Sequence, residues 1–138
     1  MEPPTFTIDF PPQADFVSTA RIFCGAVARH YGCDPADIED LKIALSEACS
    51  SAISHSGTGS QEPVRLAATP QDGLLTFEVN GHRREELEDV SGDADDTGRQ
   101  MLALSAELIA ALFPDAEFVD TPNGTFFRIS VTTGAVPA

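Results

Sequence analysis

Two pairs of alternating apolar and polar runs, each joined by a short turn, constrain this chain more than any other feature. Val64–Thr69 and Leu74–Asn80 flank Pro70-Gln71-Asp72-Gly73, and Ala116–Asp120 and Thr125–Thr132 flank Thr121-Pro122-Asn123-Gly124. A period of two sends successive side chains to opposite faces of a strand, and Asn-Gly favours the positive backbone dihedrals of a tight hairpin turn. Strands joined by short turns are antiparallel, because a parallel pair needs a long crossover. A fifth run, Thr5–Phe10, sets Phe6, Ile8 and Phe10 against Thr5, Thr7 and Asp9 and stops at Pro11-Pro12.

Between these runs the period changes to that of a helix. From Ala14 to about Tyr31, Phe16, Ala20, Phe23 and Val27 recur at steps of three and four, with Gly32 as a stop. Asp34 is placed to cap a second helix with Pro35 at its first position, and Leu41, Leu45, Ala48, Cys49 and Ala52 carry it on to Ser56-Gly57. Thr97 is placed to cap a third, whose apolar face holds Met101, Leu102, Leu104, Leu108, Ile109 and Leu112. The order of elements predicts an α+β fold: a two-layer α/β sandwich, a mostly antiparallel sheet with three helices on one face and the other face left to water or a partner. Its 138 residues suit one domain over 1–138, with loose termini at 1–4 and 133–138. Residues 81–96 are rich in charge and poor in apolar side chains, and read as an acidic lid loop.

Composition narrows the partners. Against 22 acidic residues stand 8 Lys plus Arg, a formal charge of -14 that repels a phosphate backbone and removes the main source of nucleic-acid affinity. A basic protein surface is the expected complement. No run approaches the roughly 20 apolar residues of a membrane span, and Met-Glu-Pro-Pro lacks the features of a signal peptide, so a cytoplasmic location is expected. Cys24, Cys33 and Cys49 show no metal or disulfide spacing and are expected to be small buried hydrophobes. Neither His30 nor His82 has neighbours that suggest nucleophilic catalysis, and His55 reads as a histidine at a helix end. Phe126 and Phe127 are adjacent on one strand, so one of them must face outward.

The second helix carries the candidate chemistry. With about 100° per residue and Glu47 at zero, Ser51 falls at about 40°, Ser54 at about 340° and Ser50 at about 300°, opposite the apolar stripe. One carboxylate and three small hydroxyls thus share a face. The run Leu45-Ser46-Glu47-Ala48-Cys49-Ser50-Ser51-Ala52-Ile53-Ser54-His55 resembles the N-box of the GHKL ATPases, and most closely that of the anti-sigma-factor serine kinases of partner-switching pathways. That box reads roughly Ser-Glu-Ala-Cys-Thr-Asn-Ala-Val-x-His, with the Glu as general base and the Asn as a magnesium ligand. Glu47 matches the base, and Ser51 stands at the asparagine position.

The resemblance extends over most of the chain. Thr97-Gly98-Arg99-Gln100-Met101-Leu102-Ala103-Leu104 is similar to the family's Gly-x-Gly-Leu-x-Leu phosphate segment, with Gln100 at the second glycine, and Pro122-Asn123-Gly124-Thr125 resembles its closing Gly-Gly-Thr turn. The family's adenine-reading Asp-x-Gly-x-Gly should follow Leu74–Val79. Here the sequence is Asn80-Gly81-His82-Arg83-Arg84, and either Asn80 or Gly81 takes the aspartate position, depending on where the strand ends.

The resemblance implies the Bergerat, histidine-kinase-like ATPase fold, Glu47 as catalytic base, Ser51 as metal contact, and Ser51, Ser54, Asn80, Gly81, Gly98, Arg99 and Thr125 as the contacts of ATP or ADP with magnesium. Its partners would be a sigma factor and an anti-sigma antagonist, with a homodimer common in the family. The departures at Ser51, Gln100 and Asn80-Gly81 favour a regulatory, anti-sigma-factor-like protein whose ATP binding is weak or lost. The alternative is an active ATP-dependent serine kinase that phosphorylates the antagonist, in which Ser51 holds magnesium through water and Asn80 reads adenine.

Overall fold

The computed structural model describes residues 4–56, 62–81, 103–121 and 124–134. Within them run β1 (Phe6–Phe10), a 3-10 turn (Ala14–Phe16), α1 (Val17–His30), α2 (Pro35–Ser56), β2 (Val64–Gln71), β3 (Leu74–Asn80), α3 (helical over 103–112), β4 (Glu117–Thr121) and β5 (Gly124–Thr132). The strands form one sheet in the order β1-β2-β3-β5-β4, every neighbouring pair antiparallel. The expected α+β sandwich is therefore the fold. Strand ends agree with the alternation to within two residues.

Local chemistry explains the ends of the elements. The Asp34 carboxylate accepts a hydrogen bond from the Ala36 amide at 2.9 Å, with Pro35 in the first turn where no amide is missed. α1 stops at Gly32, whose φ of +69° lets its N–H donate to the Arg29 carbonyl at 3.0 Å while Cys33 donates to Ala28 at 3.1 Å, a Schellman ending. Asp72 and Gly73 have φ values of 55° and 80°, so the β2–β3 hairpin closes on a two-residue type I′ turn matched to the twist of its strands.

The helices cover one face of the sheet. Val64, Leu66, Leu75, Phe77, Val79 and Ile129 project from the strands and Leu41, Leu45, Ala48 and Cys49 from α2, all fully buried, with Ile109 of α3 joining them. Each large apolar side chain so buried stabilises the fold by about 1.5–3 kcal/mol. Cys24, Cys33 and Cys49 are buried free thiols, and burial pushes Cys49 up to about 12 and raises Cys24 and Cys33 as well, so they pack and do not react. Among the described residues no helix is long and apolar enough to cross a membrane.

The other sheet face is polar and pairs its own charges. Arg65 of β2 holds Asp9 of β1 through two hydrogen bonds of 2.8 and 3.0 Å. Arg128 of β5 lies 3.6 Å from Glu78 and 3.5 Å from Glu117, and 5.1 Å above the Phe126 ring. Of the two adjacent phenylalanines, Phe127 is buried against Phe118 with ring centroids 4.9 Å apart, and Phe126 is the outward one, half-buried under Arg128.

Candidate functional site

α2 presents Glu47 because its apolar stripe has only one place to go. Leu41, Leu45, Ala48, Cys49 and Ala52 face the sheet, which turns Glu47, Ser50 and Ser54 away from it. Glu47 is half-buried, and Ser50 and Ser54 are exposed. Ser51 differs from the helical-wheel expectation, for it is only 6% exposed. An isolated wheel counts the sheet as the only neighbour, whereas α3 also reaches α2 at Glu47.

The contact that shows this is between Ser105 of α3 and Glu47. The Ser105 hydroxyl, on a residue 6% exposed, donates to Glu47 Oε1 at 2.7 Å. Sequence reasoning missed Ser105. Its signal was a hydroxyl one turn before Ile109, on the stripe that α3 buries. A carboxylate that takes a hydroxyl proton donor at this distance has the geometry required of a general base toward a serine. On its other side Glu47 borders a cleft of about 490 Å³, lined also by Arg21 of α1 and by Glu39, Lys42, Ile43, Ser46 and Ser50 of α2.

The remaining candidates do not all converge on Glu47. Asn80 ends β3 on the exposed side of the strand, in register with Arg65 and Phe126, so it stands on the sheet face away from α2. Gly81, the next residue, turns toward α2. A Cβ there would come 2.9 Å from the Ala52 Cβ and 3.2 Å from the Ala52 carbonyl oxygen. Of the two residues left open for the adenine-reading position, the one directed at the helix layer therefore has no side chain and no room for one. Thr125 pairs through its backbone with Asp120 in the β4–β5 hairpin. Gly98, Arg99, Arg83 and Arg84, and all of the expected 81–96 lid loop but Gly81, lie outside the described residues.

These positions bear on a magnesium nucleotide. Magnesium demands octahedral oxygen ligands, usually one or two carboxylates completed by waters and phosphates. Among the described residues no group of three or more His, Cys, Asp or Glu side chains could hold a metal ion. Among the described residues Glu47 and Ser51, one turn apart, are what α2 offers at the N-box positions, and no carboxylate or amide from the end of β3 joins them. The described residues do not fit a magnesium nucleotide held in the manner of the N-box and its adenine-reading aspartate.

Residues 10–130, from the end of β1 to β5, match the family described as the histidine kinase-like ATPase domain. The chain belongs to that family. Within it, serine-protein kinase RsbW of Halalkalibacterium halodurans is 35% identical over 54 residues, 39% of this chain and 33% of that protein. RsbW of Bacillus velezensis is 44% identical over 45 residues, 33% of this chain and 28% of that protein. The chain thus matches a third or less of the length of these curated relatives. The crystal structure of the RsbU and RsbW domains of Rv1364c from Mycobacterium tuberculosis superposes with a TM-score of 0.72 at 18% identity, covering 94% of this chain and 32% of that one. The SiaB–SiaC complex from Pseudomonas aeruginosa gives a TM-score of 0.58 at 13% identity, covering 91% and 88%. At those identities the two structures speak for the fold. The RsbW likenesses bear out the resemblance to the anti-sigma-factor serine kinases, and place this histidine kinase-like ATPase domain beside partner-switching regulators.

Proposed function

We propose that this histidine kinase-like ATPase domain acts as an anti-sigma-factor-like regulator, binding a sigma factor, an anti-sigma antagonist or both, with ATP binding weak or lost. The observation that carries the reading is at the end of β3: Asn80 on the far face of the sheet, and glycine against Ala52 where a base would be read. On this reading Glu47, with no carboxylate or amide joining it from the end of β3, is the remainder of a kinase site. The charge of -14 supports capture of a basic region of a sigma factor through complementary fields. A cytoplasmic location and a homodimer belong to the same proposal.

Melting temperature measured against ATP and ADP, with and without magnesium, tests it. A ligand at a hundredfold excess over its dissociation constant adds about 2.7 kcal/mol to stability, a shift of several degrees for a domain of this size. The reading predicts no shift at millimolar nucleotide, and a clear magnesium-dependent rise overturns it.

One observation favours a second reading, the active ATP-dependent serine kinase that phosphorylates an antagonist. Glu47 already accepts a serine hydroxyl at 2.7 Å, as a base must with its acceptor. Transfer of labelled phosphate to a purified antagonist, abolished by Glu47→Gln, would establish this reading in place of the first.

A further inference from the structure

The described cations of this acidic chain are unevenly spent. Arg65 and Arg128 are paired on the outer sheet face, while Arg21, Arg29 and Lys42 gather where α1 packs on α2. Gly25 makes the gathering possible. A Cβ added there would lie 3.0 Å from Lys42 Cε and 3.3 Å from an Arg29 guanidinium nitrogen, so the ends of two cationic side chains meet over one glycine. Together with Ser18 and Ile22 they line a groove of about 270 Å³, which shares Arg21 and Lys42 with the cleft beside Glu47.

Little in the described chain neutralises this groove. Lys42 reaches Glu39 at 3.4 Å, and Glu39 is well exposed, so the pair is weak. Among the described residues neither Arg21 nor Arg29 has a carboxylate within ion-pair distance. With Glu39 and Glu47 included, the joined lining still carries one net positive charge in a chain of -14. Two isoleucines border it: Ile22 is 70% exposed and Ile43 is 56% exposed.

The combination selects an occupant. A small free anion would account for the cations and not for two bare isoleucines. An anionic lipid surface would match both, but it repels a chain of this net charge. A protein segment with acidic and apolar sides answers to both and brings its charge only to the groove. We propose that the α1–α2 groove docks an acidic amphipathic segment of a partner protein, with apolar side chains on Ile22 and Ile43 and carboxylates on Arg29 and Lys42. The proposal rests on the partner-binding reading above and adds to it a second surface, of opposite sign to the acidic one.

The test uses the full chain and a fluorescent peptide with leucine at helical spacing and glutamate elsewhere, beside the same peptide with lysine for glutamate. The glutamate peptide is expected to bind saturably, to weaken about tenfold when Arg29→Glu and Lys42→Glu are combined, and to give way to the lysine peptide in that variant, which also reports that the variant is folded. Gly25→Ala is expected to keep or raise the melting temperature, since it removes a helical glycine, yet to weaken the peptide severalfold by displacing Lys42 and Arg29. Overturning results are no saturable binding, binding indifferent to these variants, or variant-sensitive binding of phosphatidylserine vesicles or of a second copy of the chain in place of the peptide. A purified sigma factor or antagonist that binds wild type and the double variant equally sinks the groove and leaves the partner reading standing. Peptide binding with no response to any sigma factor or antagonist of the host supports the groove and sinks the partner reading.

Discussion

The outer face of the sheet and the helical face beside Glu47 treat charge in opposite ways. On the sheet, each described arginine has acidic neighbours: Asp9 for Arg65, Glu78 and Glu117 for Arg128, with Phe126 lying beneath the latter. Between α1 and α2, Arg21 and Arg29 have no carboxylate within ion-pair distance among the described residues, and two isoleucines stand open to water. A surface that satisfies itself asks for no partner, and one that leaves cations and apolar side chains together does. The comparison supports the proposal that recognition belongs to the helical face.

The two sides of α2 offer the largest effect with which to test that division. Leu45 is fully buried toward the sheet, and Leu45→Ala should cost about 2–5 kcal/mol of stability in urea denaturation. Ile43, two residues earlier and facing the groove, should lose no more than about 0.5 kcal/mol as Ile43→Ala. Equal losses would mean that Ile43 is covered and the groove is not open.

The two interior glycines sharpen the contrast. Gly81 faces the backbone and Cβ of Ala52, which cannot yield, so Gly81→Asp, which restores the family's carboxylate, should destabilise by about 1–3 kcal/mol and gain no nucleotide binding. Gly25 faces only the far ends of flexible side chains, so Gly25→Ala should be neutral or stabilising by up to about 1 kcal/mol. Chemical denaturation of both variants, with a magnesium-ATP titration of the first, checks the pair. A stable, nucleotide-binding Gly81→Asp would show that the adenine position can simply be refilled.

Smaller effects follow at Ser105 and Asp9. Ser105→Ala removes the hydroxyl from Glu47, and because water can reach that half-buried carboxylate the loss should be about 1 kcal/mol. Asp9 is held below the ordinary carboxylate range by its hydrogen bonds from Arg65. A depressed folded-state value means that its stabilisation is present above the unfolded value of about 3.9 and fades as pH falls through the folded one. Asp9→Asn should therefore flatten the loss of melting temperature below about pH 4, slightly, since the pair is exposed.

Much of this was legible in the sequence, for reasons that also show where legibility ends. Period-two runs and turn residues located the five strands, and Asp34-Pro35 and Gly32 located the adjoining ends of two helices, because those signals are local. The choice between Asn80 and Gly81 was not local. A shift of one residue exchanges the faces of a sheet, and only the register of Asn80 with Arg65 and Phe126 decides it. The Ser105 contact depends on how α3 meets α2, and the basic groove depends on how α1 crosses α2 at Gly25. None of these contacts is written in a periodicity. The acidic composition pointed to a basic partner, and the groove adds one of opposite sign, because net charge averages over a surface that is not uniform.

The most direct test of the proposal that this domain holds proteins and has let nucleotide go is calorimetric titration of the full chain with a purified sigma factor or antagonist, run without nucleotide and again in millimolar magnesium-ATP. The account predicts the same affinity in both runs. Binding that appears only with magnesium-ATP, or that is lost as ATP is consumed, contradicts it.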